Sequence, residues 1–481
     1  MTPPLVIPWS RIDPGNALAR AYLVEPERVL PLFASDYRDP RALALPPAGG
    51  RPRLGDALAA YNREIGGSVE NARRLDDGYC VVSGQQVGLL LGPAYTTYKL
   101  FTVINAARVL ERELRVPVVP VFWIESEDHD WDEVNRFAWG DKRYRIEADV
   151  VPGTPVGRIE VDASAFLAEV REALRDGEAW EIVEPERNVA RWHARNLARL
   201  VEGEGVVFLE PSLLRGPMRP LAERIARAGE AIGRAVAMDT GFPRRLAPSD
   251  GAYLFDSTGP RRRLARGEKV PEQWSTDVVS RVLVQNAALP AIAAVCGPAE
   301  IEYWSQLKGA HEALGIPMPA VLPRASATLV EEGIARDAAG LGLDLEEVIR
   351  GVARPPEHGE ADPVATRLRK LATEAADLQT SLDAKKLDLP ANAEKPFRKT
   401  VDRLREELGK LASRIDDARA EAQGAGRRRY ERVLRELRPK GALQERTHSL
   451  FPYLLRHGTG LAKRLRESFD PFESGHYLVR L

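Results

Sequence analysis

The stretch from Tyr79 to Asn135, YCVVSGQQVGLLLGPAYTTYKLFTVINAARVLERELRVPVVPVFWIESEDHDWDEVN, constrains the fold more than any other part of the chain. Two apolar runs flank one helical pattern, and each run ends in a polar cluster. A strand-helix-strand unit has a right-handed crossover and parallel strands, so Ser83, Gly84, Gln85 and Gln86 should leave the sheet on the same edge as Glu125 to Asp130. Ligands of open α/β sheets bind at that edge.

The rest of the chain shows what such an edge can belong to. At 481 residues it is long enough for about three domains, or for one core with large insertions. Lys and Arg total 69 against 70 Asp and Glu, so no whole-molecule field favours nucleic acid or an anionic membrane. The N-terminal MTPPLVIPWSRIDPG lacks a basic segment followed by an apolar one, and no window approaches 18 consecutive apolar residues. A soluble cytoplasmic protein is expected. Cys80 and Cys296 make neither a disulfide framework nor a recurrent metal-ligand spacing.

The first 50 residues are Pro-rich and predict an irregular lead-in with at most a short helix near 26–33. A helix follows on Leu54, Leu58, Tyr61 and Ile65, stopped by Gly66-Gly67. Further strands are expected near 143–161 and at 206–211, 252–256, 289–297 and 318–324. Helices are expected at 163–201 and 217–236 and ending near 315. Alternation of this kind predicts a doubly wound, mostly parallel sheet covered on both faces. An excursion spans about 257–285, and 163–201 is a helical insertion. Residues 81–120 and 291–322 echo each other: each runs strand, Gly-Pro-Ala, helix, then a hydrophobic-Pro step into a strand.

Beyond about 361 the pattern changes. Leu368, Leu371, Ala375, Leu378 and Leu382 keep a heptad spacing, as do Val401, Leu404, Leu408, Leu411, Ile415, Ala418 and Ala422. Two helices of roughly 25 residues, separated near Pro390 and Pro396, predict an antiparallel coiled-coil arm over 361–425. The core then spans 1–360, and 426–481 is a helical segment expected to pack back on it. Arg427-Arg428-Arg429 is read as a solvated face, not a nucleic-acid site.

Three clusters could carry chemistry. Gly92-Pro93 opening a helix after Gly84-Gln85-Gln86 would offer backbone N–H groups to an anion, with Tyr95 and Lys99 nearby, although no phosphate-loop sequence is present. Glu125-Ser126-Glu127-Asp128-His129-Asp130 packs four carboxylates and an imidazole into six residues, and something must relieve their repulsion. A divalent cation is one solution, though zinc-type ligand sets are missing. A substrate amine with His129 as proton carrier is another. In the third cluster Gly297 and Pro298 open a helix bearing Glu300, Tyr303 and Trp304, and Arg324 is placed to clamp a carboxylate or phosphate. Cys296 reads better as a small buried hydrophobe than as a nucleophile.

At these residues the chain resembles a known family. GQQ-x-G-x-x-x-GP-x-YT-x-x-K, PVVPVFW-x-x-x-EDHD-x-DE-x-N and GP-x-E-x-x-Y-W-x-QL followed by GIPMP-x-x-x-PR are similar to the cysteine-adding enzymes of bacillithiol biosynthesis, the BshC family. The resemblance spans nearly the whole length, including the terminal PKG-x-LQER. It implies a Rossmann-like core, a coiled-coil arm that forms homodimers, and a ligase joining cysteine to glucosaminyl malate through an amide bond. Carried over, it points to Gln85, Gln86, Gly92, Pro93, Tyr95 and Lys99, and to Glu127, Asp128, His129 and Asp130. Where the family helix commonly reads YTxHK, this chain has Tyr98, so an adenylate-stabilising role of that histidine would either be lost here or move to His129. Amide formation needs an activated carboxylate. ATP is the implied source, with Lys99 and backbone amides holding phosphate, the acidic loop orienting the amine and His129 accepting its proton. No metal is implied. The rival readings are a metal-dependent amide or sugar hydrolase using residues 125–130, and a non-catalytic partner in thiol metabolism.

Overall fold

The computed structural model describes residues 4–47, 49–140, 142–174, 176–249, 251–354, 362–383 and 389–481. Residue 361, the start expected for the arm, and the side chains of Leu382 and Ala422 lie outside that description. The chain divides into two units, one of Met1–Val330 with Ala442–Leu481, the other of Glu331–Gly441.

The first unit is built on five parallel strands: β1 (Tyr79–Gln86), β2 (Val118–Glu125), β3 (Val207–Leu209), β4 (Ala291–Cys296) and β5 (Ala320–Pro323). Their order across the sheet is β5-β4-β1-β2-β3. The chain thus winds outward from β1 in one direction, returns, and winds outward through β4 in the other. The reversal falls between β1 and β4, and at such a switch point the two chain halves diverge and leave a crevice. There Ser83 Oγ donates to the Val295 carbonyl at 2.7 Å, tying the two strands together where their backbones part.

Val118 to Ile124 are all buried. A strand covered on both faces needs apolar side chains on both, and β2 shows it: Phe122 enters one hydrophobic cluster and Trp123 the other. Helix α1 (Ala94–Leu114) makes the crossover from β1 to β2 and stops at Arg115, whose φ is 56°. The register of β1 on β2 sets Gln86 beside Glu125.

The lead-in differs from expectation. A helix spans Ala17–Val24, capped by Asn16, and only short 3-10 turns follow at Pro26–Arg28 and Leu30–Leu32. Its buried face carries Tyr22, whose hydroxyl donates to the Val321 carbonyl at 2.6 Å, so the segment is part of the core. Residues 143–161 contribute the second strand of a hairpin, Arg136–Trp139 with Lys142–Arg145. Residues 163–201 are two helices, Ser164–Ala173 and Val189–Leu200, around a 3-10 stretch. The excursion carries a three-stranded antiparallel sheet, Leu254–Asp256, Arg262–Arg263 and Trp274–Thr276, and runs into α2 (Val278–Ala288). Helix α3 (Pro298–Trp304) follows β4. The C-terminal strand His476–Arg480 pairs with Leu5–Ile7 and Ser326–Val330.

In the second unit α4 (Pro363–Asp383) packs antiparallel on α5 (Ala391–Leu437), as the pairs Arg369 with Asp416 and Asp362 with Arg419 record. Helix α5 has 47 residues, not the roughly 25 expected, and Pro396 lies inside it. Pro396 is the sixth residue of α5, past the first turn, so it removes one internal hydrogen bond of the helix. Leu378, Leu404 and Leu411 keep 47–49 % of their surface exposed although they lie on the heptad seam.

Candidate functional site

A cavity of about 600 Å³ opens at the switch point, over the carboxyl ends of β1, β2 and β4. Its wall includes Gly84, Gln85 and Gln86 after β1, Glu125 and Asp128 after β2, Gly297 to Glu300 and Tyr303 on α3, and Arg324 after β5. The three clusters expected at one edge therefore meet in one hollow. The excursion supplies Phe255, Arg261, Arg263, Thr276 and Asp277, and Arg245, Arg281 and Arg446 complete the cationic side. Seven lining residues are basic and four acidic, so the hollow is a local positive field in a nearly neutral chain.

Lys99 is buried at the base of the hollow. Its Nζ donates to the Gly84 carbonyl at 2.8 Å and to Gln85 Oε1 at 2.9 Å, and it lies 2.5 Å from Glu300 Oε2. An ammonium has three protons, and all three are used within the protein. Burial pulls its pKa down, and Glu300 opposes that shift. Lys99 therefore braces β1 against α3 and has no proton left for a phosphate. Glu300 Oε2 also accepts from the Gly297 N–H at 2.7 Å, so α3 carries its own capping carboxylate.

The start of α1 is also taken. The Ala94 N–H donates to the His448 carbonyl at 2.7 Å, and Ser449 Oγ donates to the Leu90 carbonyl, so the C-terminal segment seals this helix end. Gly92, at φ 67° and ψ −168°, turns the chain into that seal. At the expected anion cradle of Gly92 and Pro93, the Gly92, Ala94 and Thr96 N–H groups are thus bonded within the fold. Tyr95 does reach the hollow and lies under Arg324, 5.6 Å from its guanidinium carbon. Tyr98 does not. It is fully buried, edge-on to Phe469 at 5.4 Å, and its hydroxyl has no partner among the described residues.

The acidic loop spreads out. Glu127 is buried and paired with Arg215, Asp128 accepts from the Gln86 amide and the His129 N–H, and Asp130 caps the short helix Trp131–Val134 through the Glu133 N–H. Each carboxylate has its own partner, and among the described residues no cluster of three or more potential ligands could hold a metal ion. His129 stands half exposed outside the cavity wall, with Nδ1 3.2 Å from Arg261. Trp304, buried and stacked on His311, belongs to the core. Arg324 is held by Glu445, at 2.6 Å, and by the Ala325 carbonyl, at 2.8 Å. Arg245 and Arg446 have side chains without a partner among the described residues, and both are exposed at the hollow.

Sequence reasoning took Glu125 only as one carboxylate of the acidic loop and did not single out Arg245, Arg261, Arg281 or Arg446. Glu125 Oε2 accepts from Trp123 Nε1 at 3.1 Å and lies 3.7 Å from Arg281 Nε. Burial pushes its carboxyl up to about 7, against the opposing pull of Arg281 and Arg261. Its position as the last residue of a buried strand was the available signal. Arg245, Arg261 and Arg281 come from segments with no recognisable motif, whereas Arg446 ends the motif PKG-x-LQER.

Two family models match the chain. One described as "Bacillithiol biosynthesis BshC, N-terminal Rossmann-like domain" matches residues 7–236 and 263–325, and one described as "Bacillithiol biosynthesis BshC, C-terminal coiled-coil domain" matches 327–481. Proteins named "Putative cysteine ligase BshC" align over most of both chains. That of Symbiobacterium thermophilum is 30 % identical, covering 98 % of each chain. That of Anoxybacillus flavithermus is 28 % identical over 90 % of this chain and 91 % of its own, and that of Geobacillus kaustophilus 28 % over 89 % and 90 %. Among the described residues no helix is long and apolar enough to cross a membrane.

Proposed function

The chain belongs to the BshC family, and we propose that it joins the cysteine carboxyl group to the amine of glucosaminyl malate in the switch-point cavity, forming the amide of bacillithiol. The observation that carries this reading is the cavity's charge: seven basic residues line it against four acidic ones, Glu125, Asp128, Asp277 and Glu300. Cysteine and malate bring carboxylates and the acceptor brings an amine, so a hollow in which basic groups outnumber acidic ones, with Glu125 among the latter, matches both needs.

ATP supplies the activation that a free carboxylate lacks. The donor set fits such a polyanion: Arg245 and Arg446 have no protein partner among the described residues. They take the place of the helix end and Lys99, whose donors are spent internally. Gln86 and Asp128, hydrogen-bonded to each other, set the wall on the β1–β2 side and present a polar face to the sugar. Arg261 stacks on Phe255 at 4.0 Å and, backed by His129, closes the far wall. Holding the reactants together in this way removes much of the entropic barrier.

The half-exposed Leu378, Leu404 and Leu411 support a homodimer formed through the second unit. The purified protein given ATP, cysteine and glucosaminyl malate is expected to yield bacillithiol with AMP and pyrophosphate. ADP as the nucleotide product would replace the adenylate route by an acyl-phosphate, and absence of bacillithiol with all three present would refute the function.

A further inference from the structure

We propose that Glu125 is the general base of this reaction, its free oxygen accepting the proton released when the substrate amine attacks the activated carboxyl carbon. This rests on the function proposed above. The N–C bond forms, the bond from the acyl carbon to the phosphate oxygen breaks with its electron pair leaving on the phosphate, and the surplus ammonium proton moves to Glu125. The co-reactant is the nucleoside triphosphate that activates the acid.

The geometry distinguishes the two oxygens. Oε2 is fixed by Trp123 Nε1 and faces Arg281, whereas Oε1 has no protein partner among the described residues and is left to the cavity. Arg281 is itself held by Tyr303 Oη at 3.0 Å and Gln285 Oε1 at 3.0 Å, so it stabilises the carboxylate without closing a bidentate pair over it. The remaining charged groups bearing on Glu125 are Arg261 from the excursion and Asp128 and Glu127 from its own loop. A base works best when its pKa lies near the working pH, and burial brings this carboxyl close to neutrality. No other carboxylate of the loop qualifies: Glu127 is committed to Arg215, Asp128 to Gln86 and Asp130 to a helix cap.

The test compares wild type, Glu125→Gln and Glu125→Asp in bacillithiol formation between pH 5.5 and 9 at saturating ATP and cysteine. In the wild type kcat should fall about tenfold per pH unit below about 7. Glu125→Gln should lose about 100-fold or more in kcat, change the KM for the amine less than about threefold, and lose the acid limb. Glu125→Asp should recover part of the rate. Unlike activity alone, the limb and the split between kcat and KM would not follow from a merely structural role. An acid limb retained in Glu125→Gln, or an unchanged kcat, assigns the proton elsewhere and overturns the base. A wild type that forms no bacillithiol overturns the reaction itself, whereas an active wild type matched by Glu125→Gln overturns only the base.

Discussion

Lys99→Met separates a lysine that holds substrate from one that holds the fold. Its ammonium satisfies the Gly84 carbonyl, Gln85 Oε1 and Glu300 Oε2, and the methionine stem would keep most of the packing while leaving all three acceptors without it. Removing one partner of a buried ion pair costs about 3–5 kcal/mol. The Glu300 side chain is 21 % exposed, so water recovers part of its solvation and the lower end, about 3 kcal/mol, is expected. Glu300→Gln in the same background should be less damaging than the two single changes added together, with a coupling of about 1–2 kcal/mol. All eight tryptophans fall within Met1–Val330, so denaturation followed by tryptophan fluorescence reports the first unit alone. Lys99→Met within about 0.5 kcal/mol of wild type, with a raised KM for ATP, would refute the brace and restore a phosphate-binding lysine.

Glu125 should limit stability at neutral pH. Its folded pKa is raised, so between its unfolded value and about 7 the native state binds more protons and stability falls as pH rises. Glu125→Gln should match wild type near pH 4.5 and exceed it above pH 7 by on the order of 3 kcal/mol, read from the same fluorescence transition. A curve parallel to wild type would count against the raised pKa. Gly92→Ala places a β-carbon on a backbone at φ 67° and ψ −168° and should cost about 1–3 kcal/mol in a melting experiment, with little loss if the turn can relax. Tyr98→Phe removes a buried hydroxyl without a partner and should be neutral or stabilising by about 1 kcal/mol, with bacillithiol formation unchanged. A large loss of activity would place Tyr98 in the site.

The sheet was legible because β1, β2 and β4 are short apolar runs ending in polar residues, and alternation with helices leaves few topologies. What stayed hidden has local causes. The helix Ala17–Val24 sits among prolines that suggest a loop, yet Asn16 supplies its cap and Tyr22 its anchor in the core. The length of α5 is hidden because Pro396, inside the helix, reads in sequence as a break, whereas the long helix runs through it.

The site was legible as a place and not as a set of roles. Residue types show which groups could bind a ligand, whereas the partners that already occupy them come from distant parts of the chain. Lys99, Arg324 and the α1 start each suggested an anion site, but Glu300, Glu445 and the His448 carbonyl satisfy them. The acidic loop suggested a shared ligand, but Arg215, Gln86 and a helix cap take its carboxylates one by one. Once those pairs are discounted, the charged groups left open to the hollow among the described residues include Glu125 Oε1, Arg245 and Arg446. None of them stands in the motifs that carry the family resemblance except Arg446, the last residue of PKG-x-LQER. In this chain the recognisable motifs mostly build the walls, and the proposed base lies on a residue those motifs leave unspecified.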